Sequence, residues 1–481
     1  MHVFHSGLFM FFASIAAVLV VITLCLRGDC AIYFVLLTSF FFPNCATHII
    51  GISGIPLSSF VQLFQSIALI FIIGKDKLLN VSDVVLIERS SDEFKLIIFA
   101  LFMVIFQVSV GTFFVNAKYA HVLAIHWSDY IVNVIRQFAS IAYLFACHWF
   151  INEKEQLEII FKFLVFAGII LSIEFFITFQ VPFVRSMLGQ YTINSDGRFQ
   201  SIFLNDIAAV ALWFGLASLS SFYFYITQRE KKYLIFLLIL ILATWLSFTR
   251  SVLLGLFFAF LFYFYRVKNI KRLRFFIFLA CIFLIIVVAL IRVGTVREKI
   301  SYMMPGTLGS RVIGVGSSAS TQNRMGQGLR GIQVLSRVIP FGLGPNMEQY
   351  YMPINDPSFW GSSDLKIFQT YPFIYEGYAR VTTGGTITSI QIELISFVVA
   401  YGMLGIIFLI FATIVFLKQT RYILCVHHSK SIGQMGDLIF AIFILYAVYF
   451  LYNTTPILYV IFLMMFHALF ILSHVEQIEK K

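Results

Sequence analysis

Apolar runs of about 20 residues, parted by short polar stretches, recur along most of the chain. A helix of about 20 residues crosses the hydrocarbon core of a bilayer, so each run predicts one spanning helix. The runs place helices at 7–26, 31–50, 57–74, 95–115, 130–151, 156–180, 200–227, 232–248, 251–265, 274–293, 389–417, 438–452 and 456–473. Pro43, Gly51, Gly54 and Pro56 interrupt the early part, where a re-entrant or broken helix would change the count by one. The pattern predicts an all-α polytopic membrane protein with about 12–13 transmembrane helices. It divides into an N-terminal transmembrane bundle (1–293), a large polar loop (294–388) and C-terminal transmembrane helices (389–481).

Loops this long are functional or disordered, and the aromatic residues of this one, among them Tyr350, Tyr351, Phe359, Trp360 and Tyr371, argue for order. Within it Met325, Leu329, Ile332, Leu335 and Ile339 recur every three or four residues, predicting an amphipathic helix over 322–339 that Pro340 ends. The loop is accordingly predicted to be mainly helical. Arg324 falls on the flank of the apolar arc, placed to face a cleft at the membrane surface, while Arg330 and Arg337 lie nearly opposite. A solvated surface helix accounts for the same spacing.

Composition sharpens this picture. With 60% hydrophobic and 12% charged residues and a mean hydropathy of +0.91, the chain cannot hide its apolar side chains in a water-soluble core. The net charge of +11 is not a nucleic-acid signature, because most Lys and Arg sit in short loops, where they set orientation. Lys75, Lys77, Arg89 and Lys95, then Arg229, Lys231 and Lys232, then Arg266 to Arg274, then Lys418, Arg421 and Lys430 all fall on one side, the cytoplasmic one. The large loop, the 116–129 and 181–199 loops and the Thr249-Arg250-Ser251 turn share the other face. The N-terminal run has no basic residue ahead of it and Arg27 behind it, so it reads as a retained helix rather than a cleaved signal. The six cysteines lie in or beside apolar runs without metal-site spacing.

Polar groups within or at the edge of such runs are the candidates for chemistry. Arg250 sits in a turn too short to lift its guanidinium far from the bilayer, where it needs a partner: an ordinary lipid phosphate, or the diphosphate of a lipid-linked substrate gripped through two parallel hydrogen bonds. Arg198 precedes the run 202–226 on the same face, and Asn205 and Asp206 are read as lying inside the 200–227 helix. Arg136, Glu174 and Glu393 are further intramembrane polar residues, with a structural pairing as an equal reading. His121 and His126, with Asp129, lack metal spacing and stand only as weak general-base candidates. No nucleotide-binding or hydrolase motif is present, so energy for a reaction on the outer face must come with the substrate.

Arg198, Ser201 and Asn205, then Leu246-Ser247-Phe248-Thr249-Arg250-Ser251, then Asn323-Arg324 leading to Ile339-Pro340-Phe341-Gly342-Leu343-Gly344-Pro345, and finally Glu393 with Tyr401-Gly402-Met403-Leu404-Gly405, occur in an order that resembles the bacterial O-antigen polymerase and ligase superfamily. The resemblance covers roughly residues 190–415. Where relatives commonly carry Asn-Pro-Asn, this chain has Asn205-Asp206-Ile207; where ligases carry a histidine near the loop end, it reads Gly384-Gly385-Thr386-Ile387-Thr388-Ser389. The missing histidine turns the reading from ligase toward polymerase.

The resemblance implies a metal-independent glycosyltransferase of the bacterial inner membrane, with its large loop in the periplasm and no cofactor. It would transfer a growing glycan from a polyprenyl (undecaprenyl) diphosphate to a lipid-linked repeat unit, building lipopolysaccharide or a related surface polysaccharide. Its partners would be the lipid-linked oligosaccharide, the bilayer and a chain-length regulator. Arg198, Arg250 and Arg324 would stabilise charge developing on the departing diphosphate. Glu393 would be the base or strong acceptor for the attacking hydroxyl, with Asp364 and Glu376 behind it. Arg330, Asn205, Arg136 and Trp360 are the substrate-binding candidates. Ligation of finished glycan to lipid A-core, and carriage of lipid-linked sugars by a transporter or flippase, are the alternative readings.

Overall fold

The computed structural model describes residues 2–26, 28–41, 51–52, 55–79, 92–111, 127–151, 153–181, 183, 201, 207–247, 249–266, 331–332, 335, 340–342, 393–426 and 430–450. In chain order the helices are α1 (His2–Cys25), α2 (Gly28–Phe41), α3 (Leu57–Leu79), α4 (Asp92–Phe106), α5 (Trp127–Phe150), α6 (Lys154–Gln180), α7 (Ile207–Gln228), α8 (Lys231–Leu246), α9 (Arg250–Arg266), α10 (Glu393–Val426) and α11 (Lys430–Phe450). A π-helical turn, Gln107–Gly111, continues α4. In the interrupted region after α2, β1 (Gly51–Ile52) and β2 (Ile55–Pro56) pair antiparallel, Gly51 opposite Pro56 and Ile52 opposite Ile55. That short ladder stands where the prolines and glycines forbid a continuous helix. The predicted helices 274–293 and 456–473 and most of the large loop lie outside the described residues.

Among the described residues, three helical stretches are long and apolar enough to cross a membrane, by length and composition: Lys154–Thr178, Ala209–Gln228 and Leu394–Lys418, the last of them interrupted at Gly402. Shorter apolar helices accompany them, including Ser251–Tyr263 and Gly433–Tyr449. α7 is central. It packs on α6, α8, α9 and α11, and its residues from Ala209 to Phe224 are buried. The outward faces are apolar as well, with Phe71 64%, Leu238 62% and Ile414 57% exposed. An exterior of this kind suits lipid, since a water-soluble protein does not present contiguous apolar surface on many helices at once.

Close helix approach rests on small residues, as expected where lipid and core are equally apolar. A methyl group placed on Gly255 of α9 would lie 2.9 Å from the Leu445 carbonyl of α11, and one on Gly168 of α6 would overlap Ala217 of α7. Hydroxyl groups inside the helices turn back on their own backbone: Ser172 donates to the Gly168 carbonyl at 2.8 Å, Ser218 to Phe214 at 2.7 Å and Thr244 to Leu240 at 2.7 Å. In an apolar medium this is the cheapest way to satisfy them.

Charged residues gather at one end of the bundle. The Arg266 Nε of α9 donates to Asp437 of α11 at 2.9 Å. Tyr223 of α7 donates to Glu158 of α6 at 3.1 Å, and Lys154 pairs with the same carboxylate at 3.4 Å. Phe222 of α7 stacks edge-on with Tyr263 of α9, which joins these two clusters. Lys418 of α10 pairs with Asp92 of α4 at 2.6 Å, and Phe94 stacks on His148 near the end of α5, beside the start of α6. The basic positions Arg229, Lys231, Lys232, Arg266 and Lys418 therefore lie toward one end of the described helices.

The Lys418 hydrogen bond, with the Lys418 and Lys95 charges, holds the Asp92 carboxyl below the ordinary aspartate range, against the smaller opposing effect of partial burial. A depressed pKa in the folded state contributes stability that is complete above the unfolded aspartate value and is lost as pH falls through the folded one. Because Lys418 is largely exposed, the contribution is within about 1 kcal/mol. Asp92→Asn should lower the melting temperature of detergent-solubilised protein slightly at neutral pH and progressively less in acid. A deficit that stays constant down to strongly acidic pH would contradict this role.

Candidate functional site at the opposite end

The far ends of the same helices hold the segments singled out for chemistry. α8 ends at Leu246, and the chain passes through Ser247 and Thr249 to open α9 at Arg250, a helix length away from Arg266. The Thr249 carbonyl accepts the N–H groups of both Val252 and Leu253 at 3.1 Å, so the helix is closed immediately behind Arg250. Thr249 is buried, and its hydroxyl has no hydrogen-bond partner among the described residues. Helix ends distinguish stability from function here. A cation in the last turn is favourable, as for Arg266, whereas the first turn is the positive end of the dipole and favours anions. Arg250 is the first residue of that turn.

α6 and α7 run antiparallel from the Glu158–Tyr223 contact, and their far ends carry Glu174 and, before α7, Ser201. Ser201 is fully buried, has φ +65° and donates its hydroxyl to the Glu174 carboxylate at 2.5 Å. α7 is described from Ile207 to Gln228, overlapping the predicted helix 200–227, and Ser201 is described outside it. The expectation that Asn205 and Asp206 lie two turns inside a helix falls on residues outside the described ones. Arg198, three positions before Ser201, lies outside them as well.

The third segment joins the loop to the bundle. Of the predicted helix 322–339, Gly331, Ile332 and Leu335 are described and helical, and Pro340 and Phe341 form a turn, as the proline predicts. Gly342 has φ +75° and Gly402 of α10 has φ +57°. A Cβ on Gly342 would lie 2.5 Å from the Ala400 carbonyl oxygen and 2.6 Å from the Gly402 nitrogen, and a Cβ on Gly402 would overlap the Pro340 carbonyl. That carbonyl accepts the Met403 N–H at 3.0 Å, and Phe341 stacks on Phe106 of α4. Both glycines are required because backbone meets backbone with left-handed geometry on each side.

Gly402 also breaks α10. In a straight helix residues 397 and 405 lie about 12 Å apart along the axis. Here the Phe397 carbonyl oxygen is 3.4 Å from where a Gly405 Cβ would be, and the Phe397 and Phe408 rings are 5.8 Å apart. The predicted single helix 389–417 is thus two segments, with Glu393–Tyr401 turned back alongside the start of the next. Glu393 opens this short segment and does not cap a straight span, which corrects its predicted place at the loop end of an uninterrupted helix. The Tyr401 hydroxyl donates to Gln137 of α5, the residue after Arg136, and so ties the bend to a third helix.

Arg250 and Glu393 are thus described as helix-opening positions, and Arg136 as a position on α5. Arg198, Arg324, Arg330, Asn205 and Trp360 lie outside the described residues, as do His121, His126, Asp364 and Glu376. Sequence reasoning did not pair Glu174 with Ser201, Tyr401 with Gln137, or Gly342 with Gly402. The π-helical turn opening at the buried Gln107, next to Phe106, carried no sequence signal either. Compared with known proteins, the chain matches no family model and no curated protein.

Proposed function

We propose that this protein is a membrane glycosyltransferase of the O-antigen polymerase kind. It transfers glycan from a polyprenyl diphosphate donor to a lipid-linked repeat unit at the exterior face of a bacterial inner membrane. The observation that carries this reading is that Arg250 is the first residue of α9, a helix length away from the basic Arg266 in its last turn. An anionic leaving group is what such an arrangement stabilises. The order of Arg198, Arg250, Arg324 and the Pro340–Gly342 segment, and the lack of a histidine in the loop, support polymerase over ligase.

On this reading the guanidinium groups hold the diphosphate as the anomeric C–O bond breaks, each well-placed donor contributing about 3 kcal/mol. The attacking hydroxyl of the acceptor sugar loses its proton to a carboxylate, for which Glu393 remains the first candidate. The clasp between Gly342 and Gly402 fixes the Pro340–Gly342 turn to α10. Purified protein in liposomes, supplied with one lipid-linked repeat, should yield polymer with release of polyprenyl diphosphate. Movement of the repeat across the bilayer with no polymer would make it a carrier instead, and transfer only onto lipid A-core would make it a ligase.

A further inference from the structure

The outward face of α6 carries a pair of opposite charges that the packing of the bundle does not use. Ile159, Phe166 and Ile173 are exposed along one stripe of this helix, and Glu155 and Lys162 are exposed on the same stripe, two turns apart. Lys162 stands between Phe161 and Phe163 in an otherwise apolar stretch. A cation so placed needs an anion within reach. Its natural helical partner is Glu158, one turn earlier, but that carboxylate is taken by the Tyr223 hydroxyl at 3.1 Å and by Lys154 at 3.4 Å. The Lys162 ammonium lies instead 5.7 Å from the centre of the Phe224 ring. Phe224 follows Tyr223 in α7, so the ammonium is drawn back toward the charged start of α6. Among the described residues Lys162 forms no ion pair, and neither does Glu155. The helix dipole favours Glu155 in the first turn but offers nothing to Lys162.

A lipid lying along this stripe meets the cation first, on the side of the acyl chains, and the carboxylate second, on the side of the headgroups. Phosphatidylethanolamine carries its own charges in the matching order, with a phosphate next to the glycerol and a primary ammonium beyond it. We propose that the outward stripe of α6 is a binding site for one such lipid, with its phosphate on Lys162 and its ammonium on Glu155. About 10 Å of helix separates the two residues, and a phosphoethanolamine group with a hydrogen bond at each end fills that gap once the lysine is drawn toward Glu155. Phe166 and Ile173 continue the stripe beyond Lys162 as apolar surface for an acyl chain. The pair selects among headgroups: the methylated nitrogen of choline has no N–H to donate to Glu155, and phosphatidylglycerol brings no cation at all. The site depends on no part of the proposed transfer reaction.

The test uses full-length protein in detergent, mixed with equal amounts of phosphatidylethanolamine, phosphatidylcholine and phosphatidylglycerol of identical acyl chains. Native mass spectrometry then reads which lipids stay bound. The unaltered protein should retain phosphatidylethanolamine over each of the others by about fivefold, the equivalent of one partly exposed ion pair. Glu155→Gln should bring phosphatidylethanolamine down to the level of phosphatidylcholine, because the phosphate contact remains and the ammonium contact is weakened. Lys162→Gln should lower both together, while Lys162→Arg, which keeps the charge, should hold both. Each of these positions is exposed, so the variants should melt with the unaltered protein. Lys95→Gln, at a lysine already paired with Asp92, should leave the preference intact. Retention of phosphatidylglycerol above the other two would mean that the basic end attracts acidic lipid as a whole, and would overturn the proposal. Equal retention of all three lipids by the unaltered protein would overturn it too, as would an excess of phosphatidylethanolamine that survives either Glu155→Gln or Lys162→Gln.

Discussion

Cells in which Arg250 is replaced by alanine are expected to lose long glycan chains while single repeats still reach lipid A. The purified variant should transfer about 10²–10³-fold more slowly, the usual cost of removing one donor from a developing oxyanion. Folding should be little affected, because removing a cation from the first turn of α9 relieves an unfavourable interaction with the helix dipole. The melting temperature of Arg250→Ala should therefore match or slightly exceed that of the unaltered protein, which separates a chemical loss from a structural one. Arg250→Lys keeps the charge and loses the planar fork, and should recover only part of the rate. Chains of normal length in the alanine variant would remove Arg250 from the site.

The second large effect is structural. Gly402→Ala places a methyl group against the Pro340 carbonyl and forces a side chain into left-handed geometry. The conformational penalty alone is about 1–2 kcal/mol, and displacing the clasp raises the total to about 3 kcal/mol or more. Gly342→Ala should cost as much, since its Cβ would meet the Ala400 carbonyl at 2.5 Å. The two changes strike one contact, so the double variant should be much less than additive. Thermal unfolding in detergent and the yield of folded protein measure this, and unaltered melting for Gly402→Ala would mean that the clasp does not form.

The helix ends most legible from sequence are those where charge meets an apolar run. The predicted 156–180 is observed as Lys154–Gln180, 251–265 as Arg250–Arg266, and 130–151 as Trp127–Phe150. Pro340 lies in a turn, where its missing N–H is tolerated. Hydropathy failed where the backbone changes course without a change in polarity. Ser201 belongs to a run that reads as apolar throughout, yet it is non-helical with φ +65°. The stretch 389–417 is equally uniform, and lipid tolerates its residues whether the helix is straight or bent at Gly402. Periodicity carries no information about partners distant in the chain, so the Ile339–Pro345 and Tyr401–Gly405 segments could be singled out separately without any sign that they interlock. The Glu174 carboxylate was visible as an anomaly in an apolar helix, but its partner became apparent only from the fold.

The account depends on Arg198, Arg250 and Arg324 facing one pocket open to the exterior. Pairwise cysteine substitution at these three positions, followed by a short, membrane-impermeant bis-maleimide applied from outside, tests that directly. The account predicts that all three pairs crosslink and that added lipid-linked diphosphate slows the reaction. Any pair that fails to crosslink, or that reacts only when reagent reaches the cytoplasmic side, would contradict it.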